Sequence, residues 1–349
     1  MRKMKLLGEL LIVGISLVLL VGCPPPVIKT TALVPAKFHE ASKLKTVAVL
    51  PFDGEGGKEF AAEIEGTLAS INIGDKQYFN LVDRTSIERV INEMKFSKSA
   101  LVNPSTAAKI GKLVGAKGIY TGVVTTSKVS DSYYKETRTR CAYTVTKYDK
   151  KGRAYEECGK WEQYYVSCTK RVATFSFTPK LIDVETAKIV YANNITKTAT
   201  SSACEDSKTP LATEYELIEQ AKNFAKEGFR KDVAPHYVTF EIKLMDSTEG
   251  ITSTDAENKF KQGLDYAKNN RLDRACELWG EARILSPNSP SILYNLGICA
   301  EVTGNFEQAM ELYQKADRAY GKPDERISSA LHRVKNQIQQ QEKLKEQLK

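Results

Sequence analysis

The sequence predicts an α+β protein in which an α/β layer domain with a β-hairpin insert precedes an all-α solenoid. Three observations lead to this prediction. Short apolar runs alternate with amphipathic segments over residues 45–246, a polar alternating stretch interrupts them at 127–171, and a helical repeat begins near residue 255. Apolar runs that alternate with helical patterns favour helices packed on a sheet, and a fixed period of about 34 residues is typical of stacked helical pairs.

The chain opens with a secretion signal. Basic residues near the start precede an apolar run from Leu10 to Val21. This run of about a dozen residues is too short to cross a bilayer as a helix, which needs about 20. We therefore predict a removable signal peptide at residues 1–22 rather than a membrane-spanning segment.

A cysteine follows the apolar run, at the place where a cleavage site is expected. The segment Leu20–Cys23 resembles a bacterial lipobox, which implies cleavage after Gly22 and lipidation of Cys23 with acyl chains such as palmitate. Several acyl chains anchor a protein stably, whereas a single chain does not. Pro24 stands where an Asp would retain such a lipoprotein at the inner membrane. We therefore expect the outer membrane, with the protein facing the periplasm; the alternative is an uncleaved anchor with a chance cysteine.

The charge of the chain does not indicate a nucleic-acid partner. The formal net charge is +8, and part of this mild excess belongs to the signal peptide. The basic residues are scattered and form no stripe interleaved with aromatic residues, which nucleic-acid binding would favour. We predict no nucleic-acid partner.

No arrangement of reactive residues predicts an enzyme. Gly54–Lys58 follows an apolar run but lacks the spacing of a phosphate-binding loop. The histidines His39, His236 and His332 fall in different elements, so neither a catalytic set nor a metal site can be assembled from them. We predict no catalytic residue, no cofactor and no metal.

The first half of the α/β domain follows a linker. Residues 23–44 contain Pro24–Pro26, which favours an extended spacer from the membrane. After it, apolar β-branched runs predict buried strands, and the intervening segments have an apolar helical face or a capping residue. The predicted strands are Thr46–Phe52, Tyr78–Val82 and Gly118–Val124; the predicted helices are Glu59–Ser70, a helix from the N-cap Asp83 towards Met94, and Pro104–Val114, ended by Gly115.

The polar insert at 127–171 predicts a β-hairpin. Residues Arg138–Val145 alternate in polarity, and Asp149–Gly152 has the composition of a tight turn. Two further strands, a helix and a last strand complete the domain at Ala173–Asp183, Lys188–Ile195, Thr213–Phe229 and Tyr237–Ile242, respectively.

Four cysteines fall within the insert and the polar region after it: Cys141, Cys158, Cys168 and Cys204. The periplasm permits disulfides, so we expect this set to form them, with free thiols as the alternative. Several pairings are possible, and the spacing selects none of them. The set also lacks the closely spaced pairs of a zinc site. Farther along, we interpret Cys276 and Cys299 as buried small residues rather than as a disulfide.

Four short segments follow the lipobox in a characteristic order: Val47–Phe52, Leu81–Ile87, Gly115–Gly122 and Leu181–Val190. Together they resemble the family of the curli-secretion lipoprotein CsgG, whose relatives include lipoprotein activators of penicillin-binding proteins. The resemblance covers roughly residues 45 to 245. It implies a periplasmic α/β domain similar to an anticodon-binding domain, without a role in binding RNA.

The insert departs from the channel members of that family, in which two long hairpins from each of many subunits assemble in the outer membrane. Here both faces of the single long hairpin carry charge, and a lipid-facing charge costs about 2–4 kcal/mol near the middle of the membrane. The second expected insert, after Ile195, is short and polar. A channel subunit is therefore the weaker hypothesis, and homo-oligomerisation stays open.

The C-terminal part repeats with a period of about 34 residues, which is the length of a tetratricopeptide repeat. Residues 255–322 accommodate two copies, in which Gly and Ala let paired helices approach and large residues fill the space between them. The signature positions are Gly263, Tyr266, Ala275, Trp279, Ala282 and Pro287, then Leu296, Gly297, Ala309, Tyr313 and Ala316. Residues 323–349 predict a polar capping helix, and we expect its last residues to fray.

The sequence therefore predicts a non-enzymatic outer-membrane lipoprotein that works as a periplasmic adaptor or assembly factor. The lipid on Cys23 would attach it to the membrane. A periplasmic or outer-membrane protein would bind to the CsgG-like domain and to the concave groove of the repeats. The alternatives are a subunit of an oligomeric curli-type secretion channel and an activator of a cell-wall synthase.

Overall fold

The computed structural model describes residues 26–94, 101 and 103–349. The predicted signal peptide and Cys23 lie outside these residues. The chain forms two compact units. The α/β unit contains Ala32–Val238 and Gln337–Lys349, and the repeat unit contains Thr239–Asn336 with residues 26–31.

The secondary structure of the described residues is given in chain order. The strands are β1 (Val27–Val34), β2 (Thr46–Val49), β3 (Asn72–Ile73), β4 (Lys76–Gln77), β5 (Asn80–Leu81), β6 (Gly118–Tyr148), β7 (Ala154–Asp183), β8 (Ile189–Ala192), β9 (Ile195–Cys204) and β10 (His236–Lys243). The helices are α1 (His39–Lys43), α2 (Gly57–Ala69), α3 (Arg84–Glu93), α4 (Pro104–Val114), α5 (Glu214–Val233), α6 (Thr254–Lys268), α7 (Leu272–Leu285), α8 (Pro290–Val302), α9 (Phe306–Tyr320) and α10 (Glu325–Leu348).

The α/β unit is built on an open sheet with the strand order β5-β2-β6-β7-β8, and β9 also pairs with β7. Strand β2 runs parallel to β5 and β6, and β6 turns back as β7 in a long antiparallel hairpin. Strand β9 pairs with the Cys168–Phe177 part of β7 in an antiparallel ladder. These features confirm the predicted α/β domain with a β-hairpin insert, and the helical repeats that follow confirm the rest of the fold class.

Helices cover both faces of the sheet. Val47, Val49 and Tyr120 belong to the core shared with α2 and α5, whereas Ala48 and Ile119 belong to the core shared with α3 and α4. Successive strand residues point to opposite faces. The apolar run of β2 therefore lacks alternation because both of its faces are buried.

Local signals set the helix boundaries. The Asp83 carboxylate accepts a hydrogen bond from the Ser86 N–H at 3.1 Å and caps α3, as predicted. Gly115 ends α4 with φ +74°, a left-handed conformation that glycine adopts without strain. Thr213 and Glu216 form a reciprocal capping box at the start of α5.

The segment predicted as a linker over residues 23–44 contains regular structure. Val27–Val34 forms β1, which pairs with β10 in a separate two-stranded sheet, and Ile28 is buried. The prediction of an extended linker rested on Pro24–Pro26 alone. The residues that follow alternate between exposed and more buried positions, as the residues of a strand do. A strand partner so distant in the sequence cannot be recognised from this local pattern.

The C-terminal end of α10 is anchored in the α/β unit, whereas the sequence predicted fraying. Gln347 is fully buried. Its side-chain amide accepts a hydrogen bond from the Ala36 N–H at 2.7 Å and donates one to the Ala36 carbonyl at 3.3 Å. Its main-chain carbonyl accepts hydrogen bonds from the Tyr78 hydroxyl, at 3.0 Å, and from the Lys45 ammonium. These bonds satisfy a polar residue in a buried position and explain why the segment is ordered.

The α/β core also contains three buried tyrosines, Tyr78, Tyr120 and Tyr191. Burial raises the pKa of each hydroxyl above its ordinary value, and the Asp232 carboxylate adds to the effect at Tyr191. Tyr191 donates a hydrogen bond to Asp232 at 3.0 Å. The Tyr120 hydroxyl has no hydrogen-bond partner among the protein atoms of the described residues.

We expect Tyr120→Phe to leave the free energy of unfolding unchanged at neutral pH, or to raise it by about 1 kcal/mol, because the lost hydroxyl has no partner. The variant should also resist alkali better. Above about pH 10 the unfolded chain releases a tyrosine proton that the folded chain retains, so stability falls by up to about 1.4 kcal/mol per pH unit for each such group. Guanidinium unfolding at neutral pH and near pH 11 measures both effects.

Tyr191→Phe is the matched control, since it removes the same kind of proton together with the hydrogen bond to Asp232. We expect it to lower the free energy of unfolding by about 1–3 kcal/mol at neutral pH. Equal destabilisation by the two substitutions, or an unchanged alkaline slope in Tyr120→Phe, would contradict this interpretation.

Candidate functional site

The β6–β7 hairpin continues from the sheet as a two-stranded ribbon, defined here as residues 133–169. At its base, Asp131 and Arg171 are directly opposite and joined by two charge-assisted bonds of 2.8 and 2.7 Å. The Arg171 guanidinium holds the pKa of the Asp131 carboxyl below its ordinary value. At its tip, the Asp149 carboxylate accepts hydrogen bonds from the Lys151 and Arg153 N–H groups at 2.8 and 2.9 Å, in the turn that the sequence predicted.

Two disulfides stabilise the ribbon and its base. Cys141 is bonded to Cys158 across the two strands, and Cys168 is bonded to Cys204 between β7 and β9. The sequence had left the pairing of these four cysteines open. Cross-links of this kind limit the conformations that an unpaired ribbon could adopt, so the ribbon is a pre-organised surface.

One face of the ribbon carries a stripe of exposed aromatic side chains. In the strand register, Tyr133 is opposite Thr169, Thr137 is opposite Tyr165, and Cys141 is opposite Trp161. Opposite residues share a face, as do alternate residues along a strand, so the three aromatic side chains point the same way. Their exposed fractions are high, at 79%, 74% and 66% for Tyr133, Tyr165 and Trp161, respectively. We call them the aromatic stripe.

The opposite face of the ribbon is ion-paired. Arg140 donates to Glu162 at 2.7 Å and lies over the Tyr164 ring. Arg138 pairs with Glu136 and, at 3.1 Å, with Asp206. The two faces therefore differ in chemistry, since one presents aromatic surface and the other presents satisfied charges.

One group of residues near the ribbon base lies close enough together to suggest a metal site. The ligand atoms of Glu136, Cys168 and Cys204 lie within 4.8 Å of one another. Both sulfurs are used in the disulfide, and metal binding requires a free thiolate. This group therefore cannot hold a metal while the disulfide is intact.

In the repeat unit, two glycines leave space for a large aromatic side chain of the helix with which each is paired. A Cβ on Gly263 would lie 2.3 Å from Trp279 Nε1, and one on Gly297 would lie 2.5 Å from the Tyr313 ring. The Trp279 indole donates a hydrogen bond to the Phe260 carbonyl at 3.2 Å. Among the other signature positions, the alanines Ala275, Ala282, Ala309 and Ala316 are fully buried, Tyr266 is partly exposed, and Pro287 and Leu296 line a surface groove.

The chain itself covers one face of α8. Asn295 is fully buried, and its amide accepts a hydrogen bond from the Met245 N–H at 3.0 Å and donates one to the Met245 carbonyl at 2.9 Å. The neighbouring Tyr294 hydroxyl donates to the Lys243 carbonyl at 3.1 Å. This face is therefore not open to a partner, in contrast to the open groove that the sequence predicted.

A buried ion pair lies farther along the same helix. Arg333 of α10 donates to Glu301 at 2.6 and 2.8 Å, and the Tyr313 hydroxyl donates to the same carboxylate at 2.8 Å. Burial and the Glu301 carboxylate raise the pKa of Tyr313 well above its ordinary value. Helix α10 thus covers part of the repeats, as a capping helix does.

Cys276 of α7 and Cys299 of α8 form a third disulfide. This differs from the interpretation of the two residues as separate small side chains in the core. Both are only partly buried, and the helical pattern gave their positions in the repeats but not the distance between the two helices.

We expect Asn295→Ala to lower the free energy of unfolding of the repeat unit by about 2–4 kcal/mol. The substitution leaves two buried backbone groups of Met245 without partners, and each costs about 1–3 kcal/mol. Asn336→Ala is a control, because Asn336 is an exposed asparagine within α10 in the same unit. Guanidinium unfolding of the full chain measures the difference, and equal effects of the two substitutions would contradict a role for the Asn295 amide.

Comparisons with known proteins find a family match for each of two parts of the chain. Residues 62–133 match the family model of the curli production assembly/transport component CsgG. Residues 260–322 match the model of the tetratricopeptide repeat. A search of curated proteins finds no match.

Several solved structures are similar at low identity. The C-terminal domain of LpoB from Salmonella enterica is 12% identical, with 46% of this chain and 94% of that chain covered and a TM-score of 0.26. Lipoprotein GNA1162 from Neisseria meningitidis is 12% identical, with 53% and 97% covered and a TM-score of 0.27. A PelC dodecamer from Paraburkholderia phytofirmans is 14% identical, with 60% and 98% covered and a TM-score of 0.22. The two family models confirm the predicted resemblance: the chain combines a CsgG-like domain with tetratricopeptide repeats.

Proposed function

We propose that this protein is a non-enzymatic, lipid-anchored adaptor or assembly factor of the outer membrane, facing the periplasm. Acyl chains on Cys23 would attach it to the membrane, and the aromatic stripe of the ribbon would bind an envelope protein. The observation that carries this proposal is the exposure of Tyr133, Tyr165 and Trp161 on one face of a disulfide-stabilised ribbon.

Exposed aromatic side chains of this kind are suited to a protein interface. Each can bury about 150–250 Å², and interfaces combine such residues with a polar rim. Polar residues flank the stripe on the same face, including Lys135, Thr139 and Gln163. Because the ribbon is already cross-linked, binding costs little additional ordering of its backbone.

Charged residues on both faces of the ribbon favour the adaptor over a channel subunit. Lys135 lies on the face of the aromatic stripe, and Arg138 and Arg140 lie on the opposite face. Either face would therefore bring a charged residue to lipid, and an Arg or Lys facing lipid costs about 2–4 kcal/mol near the middle of the membrane. Independently of this comparison, no helix within residues 26–94, 101 and 103–349 combines the length and the apolar character that a membrane span requires. An activator of a cell-wall synthase is a specific case of the adaptor.

The proposal predicts that a photo-activatable residue at position 165 forms a covalent adduct with an envelope protein in intact cells. Tyr215 on α5 is the matched control site, since it is equally exposed, at 74%, and lies outside the ribbon. Mass spectrometry identifies the adducts. We expect a distinct protein adduct from position 165 and none from position 215.

A second measurement separates binding from folding. Tyr165→Ala and Trp161→Ala should each weaken binding of the identified partner by at least about tenfold, as central aromatic residues of interfaces do, whereas Tyr215→Ala should not. The melting temperature should be unchanged in all three variants. A ladder of self-adducts alone would favour the channel subunit, and turnover of a cell-wall or nucleotide substrate by the pure protein would contradict the proposal.

A further inference from the structure

The repeat unit has an open groove on the side of α7, α8 and α9, with a cavity volume of about 850 Å³. Its walls are mainly apolar, and the Cys276–Cys299 disulfide forms part of them. The large apolar lining side chains from the three helices are Leu272, Ile284, Leu296, Val302 and Leu312. We call this the outer groove. It is distinct from the α8 face that residues 243–245 cover.

One helix supplies a regular stripe to the outer groove. Leu272, Cys276, Gly280 and Ile284 follow one another at intervals of four along α7, and residues four apart lie on the same side of a helix. Ile284 is 82% exposed, although it is a large apolar residue. At Gly280, a Cβ would have no atom within 4 Å, so the groove is open in the middle of the stripe.

The outer groove is basic at one end. Arg283 and Pro287 also line an adjoining depression of about 540 Å³, together with Lys315 and Arg318. The nearby Glu311 carboxylate is paired with Lys315. Within the part of the chain that the structure describes, Arg283 and Arg318 form no ion pair. An apolar groove therefore leads to two guanidinium groups that can pair with carboxylates of a ligand.

We propose that the outer groove binds an amphipathic, acidic segment of a partner protein. Apolar side chains of that segment would cover the α7 stripe, and its carboxylates would pair with Arg283 and Arg318. Arg is suited to this role because its planar guanidinium binds a carboxylate through two parallel hydrogen bonds. Helices with apolar residues at intervals of three and four bind grooves of this kind.

The exposed position of Ile284 favours a polypeptide over a fatty-acyl chain. An acyl site encloses its ligand, whereas Ile284 projects into solvent and the polar residues Asp273, Thr303 and Gln308 share the lining. The proposal adds a second surface to the proposed adaptor and does not depend on the aromatic stripe of the ribbon. Either surface can fail its test without affecting the other.

The test is selection of peptides by the mature full-length protein from a phage-displayed library of random segments of about 16 residues, which span about 24 Å as a helix. Gly280→Leu fills the groove at a position with free space, and replacing glycine in a helix favours folding. Gly66→Leu in α2 is the matched control, because a Cβ there also has no atom within 4 Å. Fluorescence anisotropy of the enriched peptides gives the dissociation constants.

We expect enriched peptides to have apolar residues at helical spacing and a net negative charge. Gly280→Leu should weaken their binding by at least about tenfold, which corresponds to about 1.4 kcal/mol, while Gly66→Leu leaves it unchanged. Arg283→Glu with Arg318→Glu should weaken acidic peptides and strengthen peptides in which Lys replaces the acidic residues. Circular dichroism establishes that each variant is folded.

Any one of three results would overturn the proposal. The first is that the library yields no enriched peptide. The second is that the enriched peptides bind Gly280→Leu as well as the original protein, and the third is that their binding is insensitive to the charge reversal. Saturable binding of palmitate, lost in Gly280→Leu while no peptide binds, would instead assign the groove to an acyl chain.

Discussion

A single antiparallel ladder between β6 and β7 holds together both the core of the α/β unit and its candidate binding surface. The pairing begins at Gly118 opposite Asp183 and continues to Tyr148 opposite Ala154. Its inner part is buried between the two helical layers, and its outer part is the ribbon. Because a slip of one residue exchanges the two faces of a strand, the packing of the inner part also fixes which side chains the ribbon exposes. The aromatic stripe thus depends on core residues such as Tyr120 and Leu181.

Irregularities in the ladder are confined to a few places, and one of them shapes the ribbon near its tip. The register shifts on both sides of Tyr143, and the ring of this residue lies over Gly159, where a Cβ would be 2.3 Å from it. Gly159 is the unpaired residue between Lys160, which is opposite Tyr143, and Cys158, which is opposite Thr144, and a larger side chain there would displace the Tyr143 ring. The Cys141–Cys158 disulfide lies beside this irregularity, so the ribbon is cross-linked where its hydrogen-bonded ladder is least regular.

The sequence predicted those features whose cause is local. The apolar run at Thr46–Val49, the Asp83 cap and the spacing of Gly263 from Trp279 each depend on residues close together in the chain, and each has a known physical reason. The pairing of β1 with β10, the burial of Gln347 and the bonds from Asn295 to Met245 join residues distant in sequence. Nothing in the local composition of a polar C-terminal segment distinguishes one buried glutamine from its exposed neighbours. For the candidate surfaces, the Tyr-rich insert was recognisable, but which aromatic residues share a face required the register.

The bonds between Asn295 and Met245 also explain how so short a solenoid can be stable. A helical pair cannot bury its apolar face alone, and arrays ordinarily need about three repeats. Here the chain supplies the missing burial on the α8 face, since Leu244 and Met245 are buried, and α10 adds Ile327 and Val334. A surface used in this way for stability is lost for recognition. The outer groove, where Ile284 is exposed and Gly280 leaves space, is the part of the repeat unit that this arrangement keeps available to a partner.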